Sequence, residues 1–507
     1  MLETVKEAKI GSIVPLYKEL DEEIDAFDYF AKLSNNGKKK HSLFFQHNGN
    51  SFGSASPCLV ITGKGENFEI KAFNETGKRF LAFIKKDFGF CDKATYNRDR
   101  IHGSLSQSNR AMSEDQRLKA KTHIDIVRTV AYKFKPKTGL KVPYSGVLGM
   151  VSPMNRDQES LDYVFYFMDN MFLVDHNAKK TYFISNALIT DNKKDKVYTD
   201  SNKILNSYEK LAAKKAPKPV KGKKKKFEVS YETDKDQLFL TMKTLKKQII
   251  EGNILYANVS SKSTCNYYGD PLVLYESYKK MNEGIPSYYI NHEEGISISA
   301  AAGTRLVVSG DNEKEILFTV VTSKKPRGKG KDETDNDLDN KYEALLKADE
   351  NEIAKHTMLA DTARNEIAKI SMQGRYMEKF FSDDKDNNNH NLTLSVKGIL
   401  KDGLDALHAY YSTLNFWIGV TKNNALSILQ KMEKHDRGFH SGSIVMASIE
   451  GNLHSVSIDS LSLKKDKVAV LAGSDVFYNS NDEDEADQNS VKVQKVLDMV
   501  KETGGLK

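Results

Sequence analysis

Residues 442–471, GSIVMASIEGNLHSVSIDSLSLKKDKVAVL, hold three β-rich runs, Gly442 to Ile449, Ser455 to Leu463 and Val468 to Leu471, separated by short polar breaks. Breaks of a few residues join antiparallel neighbours, because a parallel pair needs a crossover of a dozen residues or more. Similar short runs, Pro57 to Thr62, Tyr163 to Phe167 and Lys180 to Ile184, fill the region from about 40 to 190 and are bounded by Gly, Asn and Asp. Helical periodicity lies between the two β-rich regions. From Asp234 to Glu251, residues Leu238, Leu240, Met242, Leu245 and Ile249 recur at near-helical spacing, and Gly252 follows where a stop is expected. Ile254 to Val259 reads as a strand. Asp349 to Ile370 predicts a second long helix, with Ile353, Met358, Leu359, Ala363 and Ile367 as its apolar face, and Leu404 to Tyr411 and Ala425 to Met432 are further helices. The acidic stretch NSNDEDEADQN, 479–489, reads as a loop before a final helix from about Val491. Strands in hairpin-like pairs among irregularly placed helices predict an α+β layered fold rather than a doubly wound sheet.

The 507 residues are 39% hydrophobic and 29% charged, with 10 Pro and 31 Gly, which excludes collagen-like and largely disordered classes. Seventy-six basic residues face 69 acidic ones, so the net charge of +7 is a small imbalance and not a nucleic-acid footprint. Cys58, Cys91 and Cys265 have no paired spacing, which argues against a zinc site or a disulfide framework and for a reducing compartment. No stretch of about 18 apolar residues is present, and the N-terminus lacks the apolar core of a signal peptide, so a cytoplasmic, non-membrane protein is expected. Residues 207–228, ending in KKAPKPVKGKKKKFE, form a basic connector between an N-terminal region, 1–206, and a C-terminal region, 229–507, and the two regions are expected to build one intertwined body. A solvated linker is the plain reading of the connector. RNA or anionic-surface binding through Lys223 to Lys226 is the competing one, and it ranks last.

Motifs along nearly the whole chain are similar to those of the chorismate-utilising enzymes, most closely anthranilate synthase component I of the enterobacterial type. The resemblance is carried by EGNILYANVSS (251–261), DPLVLYESYKKMN (270–282), KPRG (325–328) and HTMLADTARNEIAKI (356–370), and by LKDGLDALHAY (400–410), RGFHSGS (437–443) and EADQNSVKVQKVL (485–497). It extends to SPCLVITGKGENFEIKAF (56–73) and YVFYFMDNMFLVDHNAKKT (163–181). The resemblance implies two large antiparallel sheets packed as a sandwich with helices outside, an active site between them, a glutamine amidotransferase partner subunit and an oligomeric assembly.

The family reaction uses a magnesium ion on a chorismate carboxylate, a general acid for the departing ring hydroxyl, and donors for the second carboxylate. By resemblance the metal is held by two glutamates, and their places carry Lys355, ahead of His356, and Gln488, after Glu485-Ala486-Asp487. An ammonium has no lone pair to give a metal. At about 4 Å and an effective dielectric near 20, it would oppose a divalent ion by about 8 kcal/mol before relaxation. No metal cofactor is therefore expected; magnesium would be needed only if the chain were active. The general-acid motif aligns with Ala302-Gly303-Thr304, and a threonine hydroxyl is far too weak an acid for that role. The family histidine before the Val-x-Gly strand aligns with Asn391, with His390 one place away as a substitute. The carboxylate-clamping arginine aligns with Ser460, beside Asp459, and Tyr256 replaces the residue that positions the nucleophile. The family's Ala-Gly-Thr-Arg reads Thr322-Ser323-Lys324-Lys325, and its Gly-Ala-Gly reads Gly473-Ser474-Asp475.

Arg327, Gly328, Gly419, Lys422, Gly442, Gly473 and Lys492 are retained as pocket positions, although turns and packing alone would also keep such glycines. The feedback-site motifs read Phe44-Phe45-Gln46-His47 and Asn282-Glu283-Gly284-Ile285-Pro286, which does not favour inhibition by tryptophan. The pattern predicts a non-catalytic relative, a scaffold or a binder of a small dicarboxylate in which Lys355 stands in for the metal. The alternative is a working anthranilate synthase or related chorismate lyase. Serine-hydrolase elbows, phosphate-binding loops and HExxH helices are absent from the sequence.

Overall fold

A computed structural model describes residues 2–47, 49–106, 120–136, 146–154, 160–219, 225–328, 336–385 and 389–504. Two long strands organise it: Ile296–Ser309 and Leu453–Lys464, paired antiparallel from Ile296↔Leu463 to Val308↔Leu453. Their register shifts between Ala301 and Arg305. On the Ile296 side of this bulge their outer neighbours are Ser287–Asn291 and Lys467–Phe477; on the Ser309 side they are Glu315–Pro326 and Ser443–Ser448. Each long strand therefore belongs to two sheets, a known way of turning a corner between packed layers.

One sheet runs Lys93–Asn97, Arg100–Ser104, Asn67–Ala72, Leu59–Lys64, Tyr163–Phe167, Gly146–Val151, Ser443–Ser448, the long pair, Glu315–Pro326, Asn389–Leu400 and Ser371–Lys385. The other runs Ser12–Leu20, Lys180–Leu188, Asn170–Asp175, Asn50–Ser54, Ser42–Gln46, Ser287–Asn291, the long pair, Lys467–Phe477, Tyr256–Asn266 and Val229–Tyr231. The expected sandwich is thus present, with its two sheets hydrogen-bonded into one network. Leu43, Phe52, Leu148, Met150, Tyr166, Ile184, Ile290, Ile444 and Ile458 pack between the layers. Helices Glu75–Ile84, His123–Ala131, Glu350–Ile370 and Ala406–Thr413 cover one outer face. Ala26–Ser34, Lys194–Ala212, Pro271–Met281 and Asp482–Gly504 cover the other.

The helix Glu350–Ile370 is capped by Asp349, whose carboxylate accepts from the backbone N–H groups of Asn351 and Glu352. Leu359, Ala360, Ala363, Ile367 and Ile370 bury its C-terminal turns, whereas its second turn buries Lys355 and His356. Ile353 and Met358, expected on the apolar face, lie at its half-buried margins. In Lys235–Ile250 the buried stripe is Leu238, Met242, Leu245 and Ile249; Leu240 is 62% exposed because it lies two residues, over half a turn, from both Leu238 and Met242.

Two boundaries differ from expectation. The helix Lys194–Ala212 runs through the first part of the expected connector. Its buried stripe, Val197, Ser201, Leu205 and Tyr208, ends inside that expected connector, so the connector begins after Ala212. At the other end, the acidic stretch is already helical, and the final helix is Asp482–Gly504. Asp482, Glu483, Asp484 and Glu485 occupy its first turn, where the positive end of the helix dipole favours carboxylates. Lys223 and Lys224 of the basic run lie outside the described residues; Lys225 lies over the Tyr268 ring, 4.1 Å from its centroid. The three cysteines are free, and none of the described helices is long and apolar enough to cross a membrane.

Candidate active site

The retained and replaced positions fall into distinct groups. The first gathers where Tyr256–Asn266 pairs with Lys467–Phe477, a register that sets Asn258 opposite Asp475. Tyr256 donates its hydroxyl to Asp475 Oδ1 at 2.6 Å, and Asn258 Nδ2 donates to the same oxygen at 2.9 Å. Lys355, its side chain 9% exposed, puts its ammonium 3.0 Å from Glu352 Oε2 and 3.7 Å from Asp475 Oδ2. Burial pulls the Lys355 pKa down, but Asp475 and Glu352 outweigh it and the net shift is upward. Burial likewise pushes Asp475 up, and Lys355 with the two hydrogen bonds brings it below the usual carboxylate range. Both groups are charged at neutral pH.

Glu485 faces this cluster. Burial and the Asp475 charge raise it to about 7, against the pull of Lys355 and Lys492. Gln488 and Lys492 follow Glu485 at three and seven residues, on one helix face, and both are exposed. Gly473 belongs to the same group: a Cβ there would come within 2.8 Å of Asn258 Oδ1. The donor chemistry suits a magnesium ion poorly, because a buried ammonium stands among the carboxylates and Gln488 supplies only a neutral amide.

The second group surrounds the bulge of the long strand. Trp417 donates its indole N–H to the Thr304 hydroxyl, and the Thr304 backbone N–H donates to Ser457 Oγ at 2.9 Å. These residues, with Leu306, Phe318, Tyr410 and Gly442, line a cavity of about 40 Å³, room for a few waters. Among the described lining residues there is no carboxylate, imidazole or ammonium group. Gly442 packs against backbone, since a Cβ would fall 2.2 Å from the Val151 carbonyl oxygen.

A third group centres on Asp339. Arg327 grips its carboxylate, with Nη2 to Oδ2 at 2.7 Å and Nε to Oδ1 at 2.8 Å; Gly328 N–H donates at 2.8 Å and His390 Nε2 lies 2.7 Å away. The Arg327 guanidinium holds Asp339 well below the carboxylate range. Asn391, the next residue along the strand, projects to the opposite face from His390, so the two are not interchangeable there. Lys422 is spent between two helices, donating to the Ser412 carbonyl of Ala406–Thr413 at 2.7 Å and lying 3.3 Å from Glu366 of Glu350–Ile370; burial lowers its pKa. Gly419 abuts the Tyr256 carbonyl oxygen and Ala425.

Ser460 is the residue expected in the place of the clamping arginine. It is buried opposite Ser299, on the other face of the strand from Ser457, whereas Asp459 shares the Ser457 face and is exposed. At the feedback-site motif, Tyr275 donates to Gln46 Oε1 at 3.1 Å and meets Ser287 Oγ at 2.9 Å, and Phe44 stacks on Phe30 with centroids 4.6 Å apart.

Glu352 was not singled out by sequence, although it precedes Lys355 by three, a spacing that puts both on one helix face. Glu485 stands in the same relation to Gln488. A further cluster was invisible. Arg437 and Glu433, 0% and 2% exposed, form a buried pair at 2.5 Å; Glu433 accepts from Ser260 N–H at 2.7 Å and Arg437 donates to the Asn258 carbonyl at 2.6 Å. This ties the RGFHSGS turn to the strand that carries Tyr256.

The chorismate binding enzyme family matches residues 86–498, and the chain belongs to it. Relatives include anthranilate synthase component 1 of Buchnera aphidicola subsp. Acyrthosiphon pisum, 26% identical with 88% of this chain and 87% of that protein covered. The Vibrio cholerae protein of the same name is 24% identical, with 87% of each covered. Two solved structures share the fold. Anthranilate synthase component I from Streptococcus pneumoniae has a TM-score of 0.64 at 17% identity, covering 89% of this chain and 92% of that one. The menaquinone-specific isochorismate synthase of Escherichia coli has a TM-score of 0.63 at 11% identity, covering 98% of both.

Proposed function

We propose that this chain is a non-catalytic member of the anthranilate synthase component I type, a scaffold or a binder of a small dicarboxylate, without magnesium-dependent conversion of chorismate. One observation carries the reading: the cavity at Thr304 is narrow, with Trp417 bonded to the Thr304 hydroxyl in its wall, and is lined, among the described residues, by no group able to protonate a leaving hydroxyl. Tyr410, the one titratable side chain there, is pushed upward by burial, away from any acid role at neutral pH. A dicarboxylate would have to use the exposed end of the cluster, where Lys492 stands.

Purified protein given chorismate, magnesium and ammonia should yield no anthranilate fluorescence, even with protein at substrate concentration. Fluorescence that grows with both time and protein concentration would overturn the reading. The second reading, a working synthase, draws on Glu352, Glu485 and Lys492, which still gather beside Asp475. The same assay decides between them. The relatives are named component 1 of their synthase. A glutamine amidotransferase subunit is accordingly the partner we propose, to be sought by co-purification.

A further inference from the structure

The basic connector does not stand alone in the fold, because two more lysine runs meet it around the loop from Asn266 to Asp270. On one side of the loop, Asn266 pairs with Lys467 at the hairpin tip KKDK, 464–467, and Tyr267 N–H donates to the Asp466 carbonyl at 2.9 Å. On the other side Asn266 holds the connector. Its Nδ2 donates to the Lys226 carbonyl at 2.8 Å, and its Oδ1 accepts from Glu228 N–H at 3.0 Å. Lys467 and Glu228 therefore flank Asn266 two strand spacings apart, about 10 Å. At the end of the loop, Lys38 of the run KKK, 38–40, lies 2.6 Å from the Asp270 carboxylate. That run sits in a pinned turn, where Tyr289 and Asn291 donate to the Gly37 carbonyl at 2.6 and 2.8 Å. Asn36 beside it, 7% exposed, donates to the Lys218 carbonyl at 3.3 Å, so the turn also grips the connector.

With Lys218, Lys225 and Lys226 of the connector, these segments present nine lysines, all exposed, against the acids Glu228, Asp270 and Asp466. Among the described residues, Lys38 alone of the nine has a carboxylate within ion-pair distance. Glu293 and Glu294 nearby are matched by Lys71 and Lys64, at 3.9 and 3.1 Å. A net charge of only +7 is thus gathered around one loop. A free linker would let such charges spread apart, whereas here Asn36 and Asn266 tie the backbone back and hold them together. We propose that the three lysine runs form one docking surface for the phosphate backbone of double-stranded nucleic acid, bound without sequence preference. It stands independently of the chorismate pocket. The partner follows from the chemistry of the three segments. They carry no arginine fork to read base edges. The Tyr268 ring is covered by Lys225, 4.1 Å from its centroid, and so offers no platform on which an unpaired base could stack. A duplex needs neither, and carries a negative charge about every 1.7 Å. The exposed large apolar side chains all lie on other segments, and a polybasic patch without an apolar anchor holds a bilayer weakly.

Fluorescence anisotropy of a labelled duplex of about 24 base pairs, titrated with the full-length protein, tests this. At about 50 mM salt, binding should saturate at low micromolar protein whatever the base sequence. By about 200 mM it should weaken roughly 1,000-fold, the loss for about six neutralised phosphates. Lys464→Ala with Lys465→Ala, and separately Lys39→Ala with Lys40→Ala, should each lower the slope of log affinity against log salt by roughly two. Both pairs are remote from the connector in sequence, so a connector acting alone predicts no change. Lys243→Ala with Lys247→Ala, equally exposed on the helix that leads into the Tyr256 end of the strand, should leave the slope as in wild type. All three variants trim exposed side chains and should melt with wild type; the salt series on wild type needs no variant. The proposal is overturned by absence of wild-type binding at the lower salt, by an unchanged slope in either of the first two variants, or by an equal loss in the third. Tighter capture on phosphatidylserine vesicles than on the duplex also overturns it, as does equal affinity for a single strand.

Discussion

Glu433→Ala should lower the stability of the protein by about 3–5 kcal/mol, the range for stripping one partner from a buried ion pair. The Arg437 guanidinium would remain beneath the sheet with only the Asn258 carbonyl as an acceptor, and the Ser260 N–H would lose its carboxylate. Against a typical total of about 5–15 kcal/mol this is a large fraction. It should appear as a lower urea midpoint with little change in slope. The paired replacement Glu433→Leu with Arg437→Met should recover much of the loss, because no unpaired charge is left behind. If the single and double variants unfold together, the pair is not what holds the turn.

Acidification should destabilise the protein steeply between about pH 6.5 and 4. His292 and His440 are fully enclosed, and burial brings them to about 3 and about 4. His41 and His454 are also lowered by burial to about 4. A histidine depressed in the folded state takes up its proton first in the unfolded chain. Stability is therefore complete above the ordinary value near 6.5 and drains away as the pH falls toward the folded value. His292 and His440 alone account for roughly 3–6 kcal/mol over that window at 1.36 kcal/mol per pH unit and per group. Asp169 and Glu485, both raised to about 7 by burial, act in the opposite sense, favouring the folded state at low pH. They are outnumbered. Urea midpoints at pH 5 and 7.5 should differ strongly in wild type and less in His292→Gln. Equal midpoints in wild type at the two pH values would sink the prediction.

Much of the architecture was legible. The helix Glu350–Ile370 announces itself by its Asp349 cap and apolar stripe, and the β-runs at 442–471 by their short breaks, because both signals are local. Misread boundaries share one cause: charge was taken for exposure. The lysines after Ser207 mask the last turn of a helix whose buried stripe runs from Val197 to Tyr208, and the acids before Val491 are those a helix start prefers. The site was harder. Sequence marked Lys355 and Asp475 as replacements, yet nothing local says that they meet, or that Tyr256 reaches Asp475 across 219 positions. Strand register alone brings them together. The same register separates Asp459 from Ser460 and His390 from Asn391, distinctions that only alternation on a known strand can draw.

The seams between the two halves of the chain have a practical corollary. Residues Ser42–Gln46 zip onto Ser287–Asn291, and Gly146–Val151 onto Ser443–Ser448, so each layer is woven from both sides of the basic segment. A protease nick between Ala213 and Glu228 should leave two polypeptides still clasped and co-migrating on a sizing column. Either piece made by itself would carry two raw sheet edges and should aggregate until its complement is supplied.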